Sequence, residues 1–316
     1  MVREAASHPL VLVTGGAGFI GSACVHALLA AGRRVRVLDH AIERSLLRSM
    51  LKHGEMGAAA LELVPGDIRD RGAVAAAMVG VTHVLHLAAQ VSVASSVADP
   101  LDSASTNISG FLNVLEASRQ AGVRRFVHAS SAAVYGKAPA PQHEDLVPAP
   151  CSPYALEKQI NEQYAALYLA LHGLSTLGLR YFNVYGPGQH DASDYAGVIA
   201  RFSRCIRAGQ AVTLHGDGAQ TRDFVHISDV ARMTCQALDI AATGIVNVGT
   251  GVGTRIADLL RLQMPCSSPV PVHHAPRRPG DLDHSCAAVR GMQSLFGLAE
   301  LLSLQAGLHT MTQPGP

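Results

Sequence analysis

Ser152-Pro-Tyr154-Ala-Leu-Glu-Lys158 places a phenol and an ammonium four residues apart. On a helix they share one face, one turn from each other. A cation held beside a tyrosine stabilises the phenolate, and this turns a poor base into one usable near neutral pH. Tyr-x-x-x-Lys by itself is a common pair on helical surfaces. Here it follows a strand that ends in the hydroxyls Ser130 and Ser131. A second group of residues points to an anion. Thr14-Gly-Gly-Ala-Gly-Phe-Ile-Gly21 follows the apolar run 10–13 and precedes the helical run 23–31. Gly15 and Gly16 allow a turn too tight for a Cβ, Gly18 admits a pyrophosphate to the backbone, and Gly21 lets the helix pack closely. The helix start offers free N–H groups and the positive end of its dipole. Asp39 ends the next apolar run, 35–38. An acid at that tip accepts both ribose hydroxyls of an adenosine and repels a 2′-phosphate, which favours NAD over NADP.

The elements that must hold these residues alternate regularly, strand then helix, as in an α/β protein with a Rossmann-type doubly wound parallel sheet. Strands are predicted at 10–13, 35–38, 61–64, 83–89, 125–131 and 176–180. Ligands of such sheets lie outside the carboxyl ends of the strands, so Asp39, Asp67, Ala88, Ala89 and Ser131 are expected along one crevice. Helix 110–121 is amphipathic and stopped by Gly122, and helix 154–172 begins with Ser152 as cap and Pro153 in first position. The second helix is apolar nearly all round, with Tyr164, Leu167, Tyr168 and Leu171 on one face and Ala165, Ala166, Leu169 and Ala170 over most of the rest. It reads as covered on both sides, by the sheet and by a second subunit, which predicts a homodimer formed by helices 110–121 and 154–172, four in all across the two-fold axis.

Residues 1–179, completed by 223–250, read as the dinucleotide-binding domain. Residues 180–316, mainly 180–222 and 251–316, read as a smaller α/β substrate-binding domain. In that half 185–189, 216–218 and 264–280 are loop signals, 245–249 is the one clear strand, and 299–305 suggests a helix.

The 316 residues allow a substantial core, and the formal net charge of +1 gives no case for nucleic acid or an anionic membrane. The six cysteines form no C-x-x-C pair, and neither a metal site nor a disulfide framework is expected. His273 and His274 are adjacent rather than one helical turn apart, and read as surface residues. Residues 1–9 contain an acid and no long apolar run, and no stretch is apolar enough to span a bilayer, so a cytoplasmic protein is expected.

In combination these motifs resemble the extended short-chain dehydrogenase/reductase superfamily, and within it the NAD-dependent nucleotide-sugar epimerases and dehydratases. The resemblance extends to Gly66-Asp-Ile68, His86-Leu-Ala-Ala89, Val134-Tyr-Gly136, Leu179-Arg-Tyr-Phe-Asn-Val-Tyr-Gly-Pro187, Arg222-Asp-Phe-Val-His226 and Arg278-Pro-Gly-Asp281. It implies that Phe19, Ile20, Asp39, Asp67, Ile68, Leu87, Ala88, Ala89, Asn107, Lys158 and Phe182 hold NAD, and that Asn183, Val198, Arg222 and Arg278 hold a sugar nucleotide. Dehydratases of this kind carry an acid pair after the residue that matches Ser131. Here Ala132 and Ala133 stand there, and neither can transfer a proton.

The resemblance therefore implies a UDP-sugar 4-epimerase. Tyr154 takes the C4 hydroxyl proton, Ser131 hydrogen-bonds the C4 oxygen, and Lys158 holds the ribose and tunes Tyr154. It further implies that Ser285, seven residues after Arg278, closes the pocket beside the C2 substituent, leaving room for an N-acetyl group. The stretch 253–277 is shorter than is usual in this family. The alternatives are another NAD-dependent nucleotide-sugar enzyme (a uronic acid 4-epimerase, a dehydratase or a 4-ketoreductase), a dehydrogenase drawing on free NAD(H), and a noncatalytic NAD-sensing scaffold.

Overall fold

The computed structural model describes residues 9–42, 60–189, 197–265, 267, 269–277, 282–297 and 300–311. The elements in chain order begin with β1 (Leu10–Thr14), α1 (Phe19–Ala30), β2 (Arg34–Asp39), β3 (Leu61–Pro65), α2 (Arg71–Ala77), β4 (His83–His86), α3 (Val93–Ala98) and α4 (Pro100–Ala104). A π-helical turn (Ser105–Gly110) leads into α5 (Phe111–Gln120), β5 (Arg125–Ser131), a short 3-10 turn (Ala132–Tyr135), α6 (Pro153–His172) and β6 (Thr176–Tyr181). Then follow β7 (Asn183–Tyr185), α7 (Val198–Arg207), β8 (Val212–His215), β9 (Thr221–His226), α8 (Ile227–Gln236) and β10 (Gly244–Val248). The chain continues with β11 (Gly253–Arg255), α9 (Ile256–Gln263), β12 (Val272–Ala275), α10 (Arg290–Phe296) and α11 (Leu304–Thr310).

Seven strands form one sheet in the order β10-β6-β5-β4-β1-β2-β3. β1 pairs in parallel with β2 on one side and β4 on the other, so the strand order reverses beside β1 as predicted for a doubly wound sheet. All five residues of β1 are buried, because helices cover both faces of such a sheet. The ends of β1 and β4 flank the reversal, where open α/β sheets bind their ligands.

The chain divides into two compact units. The first comprises Met1–Ser130, Ser152–Leu179 and Ala231–Ile245, and the second Ser131–Cys151, Arg180–Val230 and Val246–Pro316. This division differs from the predicted one in two places, for identifiable reasons. Residues 131–151 belong to the second unit because Val134 and Tyr135 pack with Phe182 and Ala287, and Tyr135 donates to Asn247 Oδ1 at 2.6 Å. The segment returning to the first unit is shorter than 223–250, because β9 lies in a separate sheet of order β11-β9-β7. The core of the first unit joins Leu12, Leu38, Val84 and Phe126 of the sheet to Phe111, Val114 and Leu115 of α5. That of the second gathers Tyr185, Phe202, Val212, Leu214, Phe224, Leu259 and Leu308.

Helix α6 starts as predicted, with the Ser152 hydroxyl accepting the Ala155 N–H at 3.2 Å and Pro153 as first residue, and it ends at Gly173 in the left-handed region. Its inner face corrects the expectation of an apolar helix all round, since charged and polar groups are buried there. The buried face carries Glu157, Lys158, Asn161 and Glu162, while Leu156, Tyr164, Leu167 and Leu171 are exposed, the last at 70 %. Helix 110–121 begins one residue later, after the π-helical turn. The predicted loop 264–280 contains β12, paired in parallel with β8. Most of its residues, His273 and His274 included, are exposed, so it lacks the apolar alternation by which strands are read. Of the predicted helix 299–305, residue 299 lies outside the described residues and 300–303 are not helical; α11 starts at Leu304, where the Ser303 hydroxyl accepts the Ala306 N–H. Among the described residues no helix is long and apolar enough to cross a membrane.

Candidate active site

In the first unit the glycine turn is shaped by close approaches. Gly15 has φ +73°, and a Cβ there would come within 2.5 Å of the Ala88 nitrogen, so the turn lies directly against the end of β4. A Cβ on Gly16 would strike Val37, and one on Gly21 would collide with the Gly15 carbonyl. Gly18 caps α1 with no side chain of its own, so among the described residues no side-chain cap covers the first amides of the helix, at Phe19, Ile20 and Gly21, which face an anion in such turns. Asp39 is buried at the end of β2, where its carboxylate accepts the Ala17 N–H at 3.0 Å and the Ala41 N–H at 2.8 Å. Each oxygen keeps lone-pair capacity for a ribose hydroxyl. A cradle that Cβ atoms would fill, an uncapped helix start and a strand-tip acid together fit a dinucleotide.

Beyond β3, Asp67 is partly exposed and ion-paired with Arg69 at 2.6 Å, and this guanidinium holds its carboxyl below the usual range. Ile68 is buried against Gly110, where a Cβ would meet its side chain at 2.7 Å. Leu87, Ala88 and Ala89 follow β4, with the Leu87 N–H donating to the Thr14 carbonyl at 3.0 Å. Asn107 sits on the π-helical turn, 2 % exposed, and contacts Gln90 and Glu157.

Lys158 and Tyr154 meet on α6 as their spacing predicts, with the ammonium nitrogen 5.8 Å from the centre of the phenol ring. The Tyr154 N–H is fixed by the Ser96 hydroxyl at 3.1 Å, and Lys158 Nζ donates to the Ala129 carbonyl at 3.0 Å. Burial lowers the Lys158 pKa to about 8, while Glu157 and Glu162 act to raise it. A row of polar side chains crosses the sheet near this lysine. Thr14, His86 and His128 are register neighbours on β1, β4 and β5, and the Thr14 hydroxyl bonds His86 Nδ1 at 2.8 Å. Burial, then the charge of Lys158, pushes His128 down to about 3 and His86 well below its ordinary value. Thr14 and His86 open motifs read from the sequence, but His128 was not singled out, because a histidine inside an apolar strand carries no signal of its own.

In the second unit Ser131 ends β5, and its hydroxyl accepts the Ala133 N–H at 3.1 Å, keeping its own proton to donate. Ala132 and Ala133 form the turn that follows. Asn183, Val198 and Arg222 line one cavity, together with Arg201, Phe202, Thr213, His215 and Gln220, which the sequence reading did not pick out. Two guanidinium groups and two rings suit a phosphorylated heterocycle. The Arg222 guanidinium donates to the carbonyls of Thr221 and Leu282, both at 2.8 Å. The adjoining Asp223 is fully buried and ties β9 to its surroundings, accepting from Thr250 N–H, Thr250 Oγ1, Gly251 N–H and Ala287 N–H. Phe182 is 5 % exposed, its ring centre 6.3 Å from that of Tyr135. Ser285 is 7 % exposed, and its N–H donates to the Thr221 carbonyl at 3.1 Å, next to Arg222 in the chain. Arg278 lies outside the described residues. No group of three or more metal-ligating side chains occurs among the described residues.

The model of the NAD dependent epimerase/dehydratase family matches residues 11–249. The UDP-glucose 4-epimerase of Mycolicibacterium smegmatis is 40% identical over 302 residues, covering 92% of this chain and 95% of that protein. The crystal structure of Thermus thermophilus UDP-glucose 4-epimerase in complex with NAD is similar at a TM-score of 0.86 and 38% identity, over 96% of this chain and 97% of that one. The UDP-N-acetylglucosamine 4-epimerase from Methanobrevibacter ruminantium, in complex with UDP-N-acetylmuramic acid, superposes at a TM-score of 0.89 with 31% identity over the same shares.

Proposed function

The chain belongs to the NAD dependent epimerase/dehydratase family, and from that premise we propose that it is a UDP-sugar 4-epimerase. It interconverts UDP-N-acetylglucosamine and UDP-N-acetylgalactosamine as well as UDP-glucose and UDP-galactose. When bound, NAD supplies the acceptor that takes a hydride from C4 and returns it. Gly15, Gly18, Phe19, Ile20 and Gly21 hold its pyrophosphate, and Asp39 its adenosine ribose. Tyr154 as phenolate takes the C4 hydroxyl proton and gives it back after the sugar has turned its other face. Lys158 stabilises that phenolate, and Ser131 donates to the C4 oxygen.

The observation that carries this reading is the Lys158 ammonium 5.8 Å from the Tyr154 ring, on a helix of the unit that holds the dinucleotide cradle. Ala132 and Ala133 support epimerisation over elimination, since neither offers a proton. The N-acetyl part of the reading rests on the small residue Ser285, which is bonded through its backbone N–H to Thr221, next to Arg222 in the chain. A serine there leaves volume for an N-acetyl group and a hydroxyl to meet its amide.

A homodimer is part of the same proposal. The exposed apolar stripe Leu156, Tyr164, Leu167 and Leu171 on α6, extended by Val97 of α3 and Leu101 of α4, favours a second copy as its cover.

Incubation with UDP-glucose, UDP-N-acetylglucosamine and UDP-glucuronic acid, with the products identified, tests the reaction. The expected products are the C4 epimers of the first two. Turnover of the uronic acid alone, or release of a ketosugar or a dehydrated sugar, contradicts the reading. Ser285→Tyr is expected to abolish turnover of the N-acetylated sugars selectively. An equal effect on both sugar types, or none, refutes the pocket assignment.

A further inference from the structure

Glu157 immediately precedes Lys158 and is 3 % exposed, yet the reaction proposed above makes no use of it. Burying a carboxylate is costly unless it is well bonded. Its Oε2 accepts the Ser103 hydroxyl at 2.8 Å and the Asn107 amide at 2.6 Å. Asn107 in turn closes on Gln90, with Nδ2 donating to the Gln90 carbonyl and Oδ1 accepting the Gln90 N–H, each at 2.8 Å. Because only the amino end of an amide can meet a carboxylate, Glu157 decides which way Asn107 faces. Gln90 ends the stretch 87–90 that leaves β4 against Gly15, and Asn107 stands on a π-helical turn, a local irregularity frequent at functional sites. One turn after Lys158, the buried Glu162 accepts the Ser130 hydroxyl at 2.5 Å.

We infer that Glu157 is a positioning residue for this site: its carboxylate turns Asn107 to clamp Gln90 at the rim of the dinucleotide cradle, and its charge, together with that of Glu162, keeps Lys158 an ammonium. The second half rests on the reading of Lys158 as a residue that holds NAD and stabilises the Tyr154 phenolate.

The charged groups around Lys158 fix the sign of the effect. On its own helix are Tyr154, Glu157 and Glu162. From β4 and β5 come His86 and His128, both kept neutral by burial. The helix α3 and the π-helical turn bring no titratable side chain; α4 brings Asp102, exposed and paired with Arg69, and α5 brings Glu116 and Arg119, paired with each other beside Tyr168. Burial draws Lys158 down to about 8, and the two carboxylates are the groups that oppose it. With one of them neutral, the ammonium is lost at a lower pH.

The test follows NAD content through gel filtration of the holoenzyme from neutral to alkaline pH. Glu157→Gln removes the charge and keeps an oxygen for both donors, since both bonds fall on Oε2. Its NAD is expected to leave with a midpoint about one pH unit below that of the wild type. Glu162→Gln is expected to move the midpoint in the same direction, which keeps the inference testable if the first variant fails to fold. Glu157→Leu, which also frees Asn107, is expected to hold less NAD at every pH. Wild-type midpoints in both Gln variants overturn the charge role, and wild-type NAD content in Glu157→Leu overturns the clamp. A purely structural Glu157 would lower NAD content without moving the midpoint. Because NAD retention needs no sugar, a shifted midpoint in a protein that epimerises nothing overturns the proposed reaction alone.

Discussion

Tyr154 and Lys158 were legible because a helix converts a four-residue spacing into a shared face, whatever the rest of the chain does. Glu157 was not, since one letter beside Lys158 gives no hint that it is buried and bonded to Ser103 and Asn107. Asp223 is a similar case: within Arg222-Asp-Phe-Val-His226 it looks like a polar neighbour of a binding arginine, yet it is fully buried and anchors β9. At this scale the first prediction concerns the proton of the C4 hydroxyl. Tyr154→Phe removes only the acid/base oxygen, so epimerisation is expected to fall by a factor of at least about 100 while thermal stability and bound NAD stay unchanged. Product analysis together with NAD absorbance checks this, and near-normal turnover would make Tyr154 a core residue.

Elements constrain one another more than their residues reveal. The start of α1, the tip of β2 and the end of β4 converge because glycine at 15, 16 and 21 removes the Cβ atoms that would hold them apart. The neighbouring row across β1, β4 and β5 places His128 against Phe111 and Phe126, and a Cβ on Gly178 of β6 would approach its ring within 2.8 Å. Its pKa, about 3, is depressed by burial and by Lys158, against an ordinary value of 6.5. Between those values the unfolded chain binds a proton that the folded chain does not, so stability falls as the pH drops from 6.5 toward 3. At pH 5 this one ring costs about 2 kcal/mol relative to pH 7. Both ring nitrogens lack a hydrogen-bond partner among the described residues, so His128→Leu is expected to leave the fold intact at pH 7 and to flatten the loss of stability at pH 5. Urea unfolding at the two pH values measures this, and an unchanged difference would refute it.

For the molecule as a whole, the inverted face of α6 bears most on assembly. Its charged residues point inward and its leucines outward, the reverse of a solvated surface helix. A dimer of about 66 kDa is expected in light scattering at micromolar concentration, twice the chain mass of 33.1 kDa. Leu167→Glu with Leu171→Glu is expected to yield monomers, since two carboxylates on each copy would have to be desolvated at the interface. A monomeric wild type would leave the stripe to another partner. The sequence by itself determined the alternation of strands and helices in the first half, the glycine turn, the strand-tip acid and the Tyr–Lys pair. These depend on local period, on backbone freedom and on spacing within one element. Only the tertiary structure decided that 131–151 leaves the first unit, that β9 and β12 are strands, that Ser285 is buried and that the charged face of α6 is the inner one. Those outcomes arise from contacts between residues far apart in sequence, where burial and partner choice are properties of the packed chain and leave no period to read.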